Sequence, residues 1–202
     1  RVASAEMSDT ARERLSILRQ GIERGRNLLD QLLTLARAQS IADSPQASVS
    51  VQYIFRRVLE DLMPLASAKR IDIGVEGTQD AQVWVAELDM VAMVKNLIDN
   101  AIRYTPEGGR VDLSVTTAEE LAVLNIRDNG PGIPLTERQR VFAPFYRTLG
   151  SAQIGSGLGL SIVQAIADRV GARVHLDFSN AEEQKGLDVA LVIPVIGTAQ
   201  RA

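Results

Sequence analysis

The chain has 202 residues, 46% of them hydrophobic and 23% charged, and 22 Lys and Arg against 25 Asp and Glu leave a net charge of −3. That is room for one ordinary domain with an appendage, or two small domains, without the dense basic surface that nucleic-acid binders carry. Zero cysteines and one histidine, His175, exclude disulfides, thiolate or multi-histidine metal centres and a cysteine nucleophile. No run approaches about 18 consecutive apolar residues, so no transmembrane helix is predicted. The chain starts at Arg1 with no signal pattern, and reads as a piece of something longer.

The first element is a long helix. Leu15, Leu18, Ile22, Gly25, Leu29, Leu32 and Ala36 alternate in steps of three and four, the a/d seam of a coiled coil or bundle. The pattern predicts a helix from about Asp9 to Gln39, roughly 45 Å long at about 1.5 Å per residue. Its seam must be covered elsewhere. Either it caps a domain, or it is half of a helical hairpin whose other half precedes Arg1, dimerised into a four-helix bundle. The strict seam and the abrupt start favour the hairpin.

The small-residue stretch up to Ser50, containing Pro45, reads as a loop and the domain boundary, dividing residues 1–42 from 43–202. Tyr53 to Lys69 has helical period, with Pro64 expected to kink or interrupt it. Ile71–Val75 and Val83–Val85 read as strands and Asp89–Tyr104 as a helix. Glu87 and Asp89 read as its N-terminal caps, and Trp84 reads as core. Val111–Val115 and Ala122–Ile126 alternate with period two around a turn at Ala118–Glu120. A helix over Gly157–Val170 and strands at Val174–Phe178 and Leu187–Ile193 complete the chain. Strands in adjacent runs between helices predict an α+β fold, a two-layer sandwich with a mixed sheet and helices on one face.

Three segments carry chemistry that packing does not require. In NLIDNAIRY, Asn96, Asn100 and Arg103 fall at i, i+4 and i+7 on one helix face. An uncharged amide oxygen suits Mg²⁺ when phosphate oxygens already supply the negative charge; the same stripe would also serve as a solvated face. In DNGPGIP, Gly130 and Gly132 permit a sharp turn, and Asp128 at a strand end is an acceptor for a purine amino group. An ordinary turn has the same composition. In GSGLGLSIV, Gly155, Gly157 and Gly159 run into a helix N-terminus, where free N–H groups and the dipole favour an anion. Neither a Walker A loop nor a dinucleotide fingerprint fits this spacing.

Taken in order, these segments resemble the catalytic ATP-binding domain of bacterial sensor histidine kinases, within the Bergerat-fold ATPases that include gyrase and heat-shock chaperones. Asn96–Tyr104 is similar to the family's N box, Asp128–Gly132 and Gly155–Gly159 to its two glycine boxes, and Val141–Arg147 to its F box. The long helix resembles the second helix of the dimerisation and phosphotransfer hairpin. The resemblance implies ATP and Mg²⁺ as ligands, with Asn100 on the metal and Asp128 on the adenine. It further implies Gly130 and Gly132 at the base, and Arg103, Tyr104 and Arg147 near the phosphates and nucleotide. Gly155, Gly157 and Gly159 would cover the phosphates, with Leu158 among the nucleotide-binding residues, Leu160 and Ile133 as apolar wall and Thr148–Ile154 as the ATP lid.

Hydrolysing relatives carry glutamate where Asn96 stands, and an amide cannot take a proton near neutral pH. The resemblance implies Asn96, Arg103 and Arg147 as the catalytic set, and the amide at Asn96 points to phosphoryl transfer rather than hydrolysis. The acceptor would be a histidine on the absent hairpin helix, followed by a response-regulator receiver domain. His175 reads as a structural strand residue. The resemblance also implies a homodimeric parent attached to the bacterial inner membrane, with this part in the cytoplasm. A conformational-clamp ATPase, an anti-sigma-type serine kinase and a nucleotide-binding module without transfer remain alternatives.

Overall fold

A computed structural model describes residues 9–39, 46–147 and 155–195. Helix α1 spans Asp9–Ala38, and β1 (Ala47–Ser50) leads directly into α2 (Val51–Ala68). Strands β2 (Asp72–Glu76) and β3 (Gln82–Val85) precede α3 (Glu87–Tyr104). Then come β4 (Arg110–Ala118), β5 (Leu121–Asp128), a 3₁₀ turn at Arg140–Phe142, α4 (Gly159–Val170), β6 (Arg173–Asp177) and β7 (Leu187–Pro194). The main sheet runs β2-β4-β5-β7-β6, parallel between β2 and β4 and antiparallel elsewhere.

Alternation along the central strands decides the layering. Val111, Leu113 and Val115 of β4, Ala122, Leu124 and Ile126 of β5, and Val189, Leu191 and Ile193 of β7 are all buried. Facing them are Ile54, Phe55 and Val58 of α2, Met90, Met93, Val94 and Leu97 of α3, and Ile162, Val163 and Ile166 of α4. Both periods point their apolar residues into one contiguous core, which gives the predicted two-layer α+β sandwich. Leu35 and Ala38 from the end of α1 join the same core. The α1 seam itself, including Leu18, Ile22 and Leu29, is exposed. Among the described residues no helix is long and apolar enough to cross a membrane.

Several expectations need correction. The stretch read as loop up to Ser50 contains β1, which pairs antiparallel with β3 from Ala47↔Val85 to Ser50↔Gln82. Ser50 then caps α2, its hydroxyl accepting the Tyr53 N–H at 3.1 Å. Pro64 does not interrupt α2, which runs on to Ala68. Pro64 and Glu60 are both exposed, so the Glu60 carbonyl deprived of its N–H partner is open to water. Trp84 is not core: it is 48% exposed, because β3 buries the face carrying Val83 and Val85 and leaves the other outward. Glu87 and Asp89 do not cap α3. They sit inside its first turn, the cap is Ala86 without a side-chain bond, and they pair with Arg57 and Arg169.

Candidate functional site

Helix α3 is amphipathic, and its polar side forms one wall of a cavity of about 640 Å³ lined by Asn96, Asp99, Asn100, Arg103 and Tyr104. Asn96 Nδ2 donates to the Ala92 carbonyl at 2.8 Å, which fixes the amide's orientation. Arg103 Nε donates to Asp99 at 2.6 Å, an i,i+4 pair on the same face. The second glycine box lies against these amides. A β-carbon on Gly159 would come 3.2 Å from Asn100 Nδ2 and 3.3 Å from Asn96 Oδ1.

Strand β5 ends on Asp128, only 6% exposed. One carboxylate oxygen accepts the N–H groups of Gly130 at 2.8 Å and Leu187 at 3.2 Å. Burial nevertheless pushes its pKa from 3.8 up to about 6, the two backbone bonds opposing the rise. A buried acceptor at a strand end, lining a cavity, suits an amino group that brings its own proton. Gly132 is required sterically: its φ is +75°, and a β-carbon there would lie 2.6 Å from the Gly186 carbonyl and 3.0 Å from the Phe178 ring. Arg138 stacks on the same ring, 4.6 Å from the Phe178 centroid, and donates to the Leu176 carbonyl at 2.6 Å. The turn after β5 is thus pinned to β6 and to Gly186, whose N–H donates to the Gly130 carbonyl at 2.8 Å.

The third side comes from the segment before α4. Phe145 N–H donates to the Gly157 carbonyl at 2.9 Å, so the aromatic box and the glycine box are hydrogen-bonded to one another. Gly157 has φ +74°, and a β-carbon would meet the Phe145 backbone at 2.7 Å. The Tyr146 hydroxyl donates to Glu137, which raises its pKa, and Arg140 lies 4.8 Å above its ring. Arg147 and Gly155 line the cavity beside Tyr146.

Of the residues singled out in the sequence, Asn96, Asn100, Arg103, Tyr104, Asp128, Gly132, Ile133, Arg147, Gly155, Gly157, Gly159 and Leu160 all line this one cavity. Gly130 and Leu158 do not. Gly130 is packed under Asp128 and Tyr104, and Leu158 is fully buried in the core, because the turn into α4 aims it inward. Thr148–Ile154 lie outside the described residues. His175 is exposed on β6, an edge strand, and is not at the cavity.

Sequence reasoning missed the contribution of α1. Asn27, Leu28 and Gln31 line the cavity, and the Ser156 hydroxyl donates to Gln31 Oε1 at 2.6 Å across 125 residues. None of the three belongs to the heptad seam, so no periodicity marks them. Asp99, Pro131 and Tyr146 were also missed as wall, although each adjoins a motif.

Among the described residues no group of three His, Asp or Glu side chains could hold a metal ion. A divalent cation here would depend on amide oxygen, such as that of Asn100, and on oxygens brought by the ligand. A cavity lined by a buried acceptor, amides, arginines and a helix N-terminus fits a purine nucleotide polyphosphate with its cation.

Residues 85–196 match the family "Histidine kinase-, DNA gyrase B-, and HSP90-like ATPase". The sensor protein kinase PmrB of Pseudomonas aeruginosa is 38% identical over 177 residues, covering 87% of this chain and 36% of that protein. The solved mycobacterial sensor histidine kinase MprB is 31% identical with a TM-score of 0.68, over 75% of this chain and 98% of that one. Full-length ShkA in complex with AMPPNP shares the fold at a TM-score of 0.79 and 24% identity, over 98% of this chain and 42% of that one. The chain spans about two-fifths of the length of the curated relatives it matches. On the match across more than half of its length, the chain belongs to the histidine kinase-, DNA gyrase B- and HSP90-like ATPase family and is homologous to the catalytic domains of sensor histidine kinases.

Proposed function

We propose that this chain binds Mg-ATP in the α3–α4 cavity and donates the γ-phosphoryl group to a histidine outside these 202 residues, for relay to a response-regulator receiver domain. The observation that supports it best is the convergence of buried Asp128 with Asn96, Asn100, Arg103 and the second glycine box on one cavity. In this reading Asp128 accepts from the adenine amino group, while Asn100 holds Mg²⁺ together with phosphate oxygens. Tyr104 and Ile133 flank the nucleotide, Leu160 completes the apolar wall, and Arg103 and Arg147 neutralise charge at the phosphates. Residues 1–42 act as the dimerisation and phosphotransfer helix and 43–202 as the catalytic domain of a homodimeric, membrane-attached kinase.

The transfer is direct. A bond forms between an imidazole nitrogen and the γ-phosphorus as the β,γ-bridging P–O bond breaks; ADP leaves with the bridging oxygen, and the ring's other N–H proton is lost to solvent. Such a step draws mainly on positioning and electrostatics. Water is a poor competitor because Asn96, whose Nδ2 donates to the Ala92 carbonyl, has no basic group to activate it. His175, exposed on its edge strand, is not the acceptor.

Calorimetry with Mg-ATP tests the site: Asp128→Ala and Asn100→Ala each weaken binding at least tenfold, and unchanged affinity in both overturns the assignment. With γ-labelled ATP the chain alone acquires no acid-labile phosphate. Label on His175 would replace this reading with self-phosphorylation.

A further inference from the structure

Asp99 stands on the polar side of α3 and lines the cavity with Asn96, Asn100 and Arg103. Its carboxylate accepts from Arg103 Nε at 2.6 Å, and its side chain is 23% exposed against 39% for the arginine. Wherever the Arg103 guanidinium meets a bound anion, this carboxylate is therefore in direct contact with the same guanidinium. Among the described residues, the charged side chains lining the cavity are Asp99, Asp128, Arg103 and Arg147, two of each sign. The wall thus offers a polyphosphate no net positive charge of its own. Nor does it offer a cation a carboxylate cage, since no group of three His, Asp or Glu side chains among the described residues could hold one. An i,i+4 ion pair contributes little to a helix, whereas a charge at a cavity wall acts on whatever enters.

We infer that Asp99 makes this site selective for the metal-bound form of the nucleotide, by opposing entry of a polyphosphate that lacks its divalent cation. The inference rests on the ATP reading of the cavity. Near neutral pH metal-free ATP carries about twice the negative charge of its magnesium complex, so one fixed carboxylate penalises it about twice as strongly in free energy. The same carboxylate attracts the cation, which in that reading has to arrive with the ligand, because Asn100 supplies only an uncharged amide oxygen. Pairing with Asp99 also offsets the Arg103 charge that would otherwise draw in a bare polyphosphate. Selection is exerted by the sign of one side chain rather than by a set of metal ligands.

The test compares three ligands on the 202-residue chain and its Asp99→Asn and Asp99→Glu variants: Mg-ATP and ATP in excess EDTA by calorimetry, and adenosine by NMR. Asparagine keeps the shape and an oxygen for Arg103 Nε while removing the charge. Asp99→Asn should tighten Mg-ATP about threefold and metal-free ATP about tenfold, roughly the square of the first factor, because the interaction scales with ligand charge. Adenosine should stay within about twofold of wild type, and both gains should shrink in roughly 0.5 M salt. Asp99→Glu keeps the charge and should preserve the wild-type preference for Mg-ATP over ATP within about twofold. Equal gains for the two nucleotides, no gain, or the weaker Mg-ATP binding that loss of a metal ligand or scaffold residue would give overturns the inference. So does loss of the preference in Asp99→Glu, or an Asp99→Asn chain that no longer melts cooperatively. A wild-type chain that binds none of the three ligands would instead remove the nucleotide reading itself.

Discussion

Asp128→Asn exposes what burying this carboxylate costs the fold and what it gives the site. Its pKa stands at about 6 rather than 3.8, chiefly because it is buried, which corresponds to about 3 kcal/mol at ~1.4 kcal/mol per tenfold in proton affinity. A pKa raised on folding means that the native state holds the proton more tightly than the unfolded chain does. The resulting stabilisation is complete below pH 3.8 and is lost as pH rises through about 6. At neutral pH the native protein therefore carries an ionised, buried carboxylate at close to its full cost. Asparagine has the same shape, no charge to bury, and an oxygen for the Gly130 and Leu187 N–H groups. Between about pH 5 and 7.5 the wild type should lose about 1.4 kcal/mol of stability relative to Asp128→Asn, the linkage value for that interval. Urea denaturation of both proteins in matched buffers measures it, since titrations common to the two cancel. At pH 7.5 the variant should be the more stable protein and the poorer ligand binder, its Mg-ATP affinity down at least tenfold because an NH₂ group now competes for the acceptor position. Wild-type affinity should itself fall as pH drops below about 6. A stability difference constant across that interval would refute the burial argument, and an asparagine variant binding Mg-ATP as tightly as wild type would remove Asp128 from base recognition.

Gly132→Ala places a β-carbon 2.6 Å from the Gly186 carbonyl at a φ of +75° and should cost at least about 2 kcal/mol, read by chemical denaturation, with loss of nucleotide binding. Arg169→Met strands the Asp89 carboxylate, which pairs with Arg169 at 2.7 Å between α3 and α4, and should cost about 2–3 kcal/mol, while Arg169→Met with Asp89→Leu should recover most of it. Thr105 is fully buried, and its hydroxyl has no hydrogen-bond partner among the described residues. Thr105→Val should therefore raise the unfolding midpoint, by an amount equivalent to about 1 kcal/mol; a fall in the midpoint would mean that the hydroxyl is satisfied.

The amide stripe on α3 was legible because its chemistry is local: residues at i, i+4 and i+7 share a face whatever surrounds the helix. The glycine boxes were legible because positive φ and close backbone approach are demands that few other residues meet, as Gly132 and Gly157 show. Trp84 was misread for the opposite reason. Period two says that β3 has two faces, but only what packs on each face decides which is covered, and here the face of Val83 and Val85 is buried while that of Gln82 and Trp84 is not. Strand β1 itself has the weak composition Ala-Ser-Val-Ser, and its extended form is held by pairing with residues 82–85. Glu87 and Asp89 sat where caps belong, yet arginines 30 and 80 residues away in sequence claim them.

By itself, then, the sequence determined the two-layer alternation of the core, the amide helix and the glycine turns, since each follows from a repeat or a backbone requirement shorter than about eight residues. The tertiary structure alone decided the rest of the site. It brought Asn27, Leu28 and Gln31 of α1 to the cavity wall and laid Gly159 against Asn96 and Asn100. Packing and charge compensation act between segments distant in the chain, and no local pattern encodes which of those segments will meet.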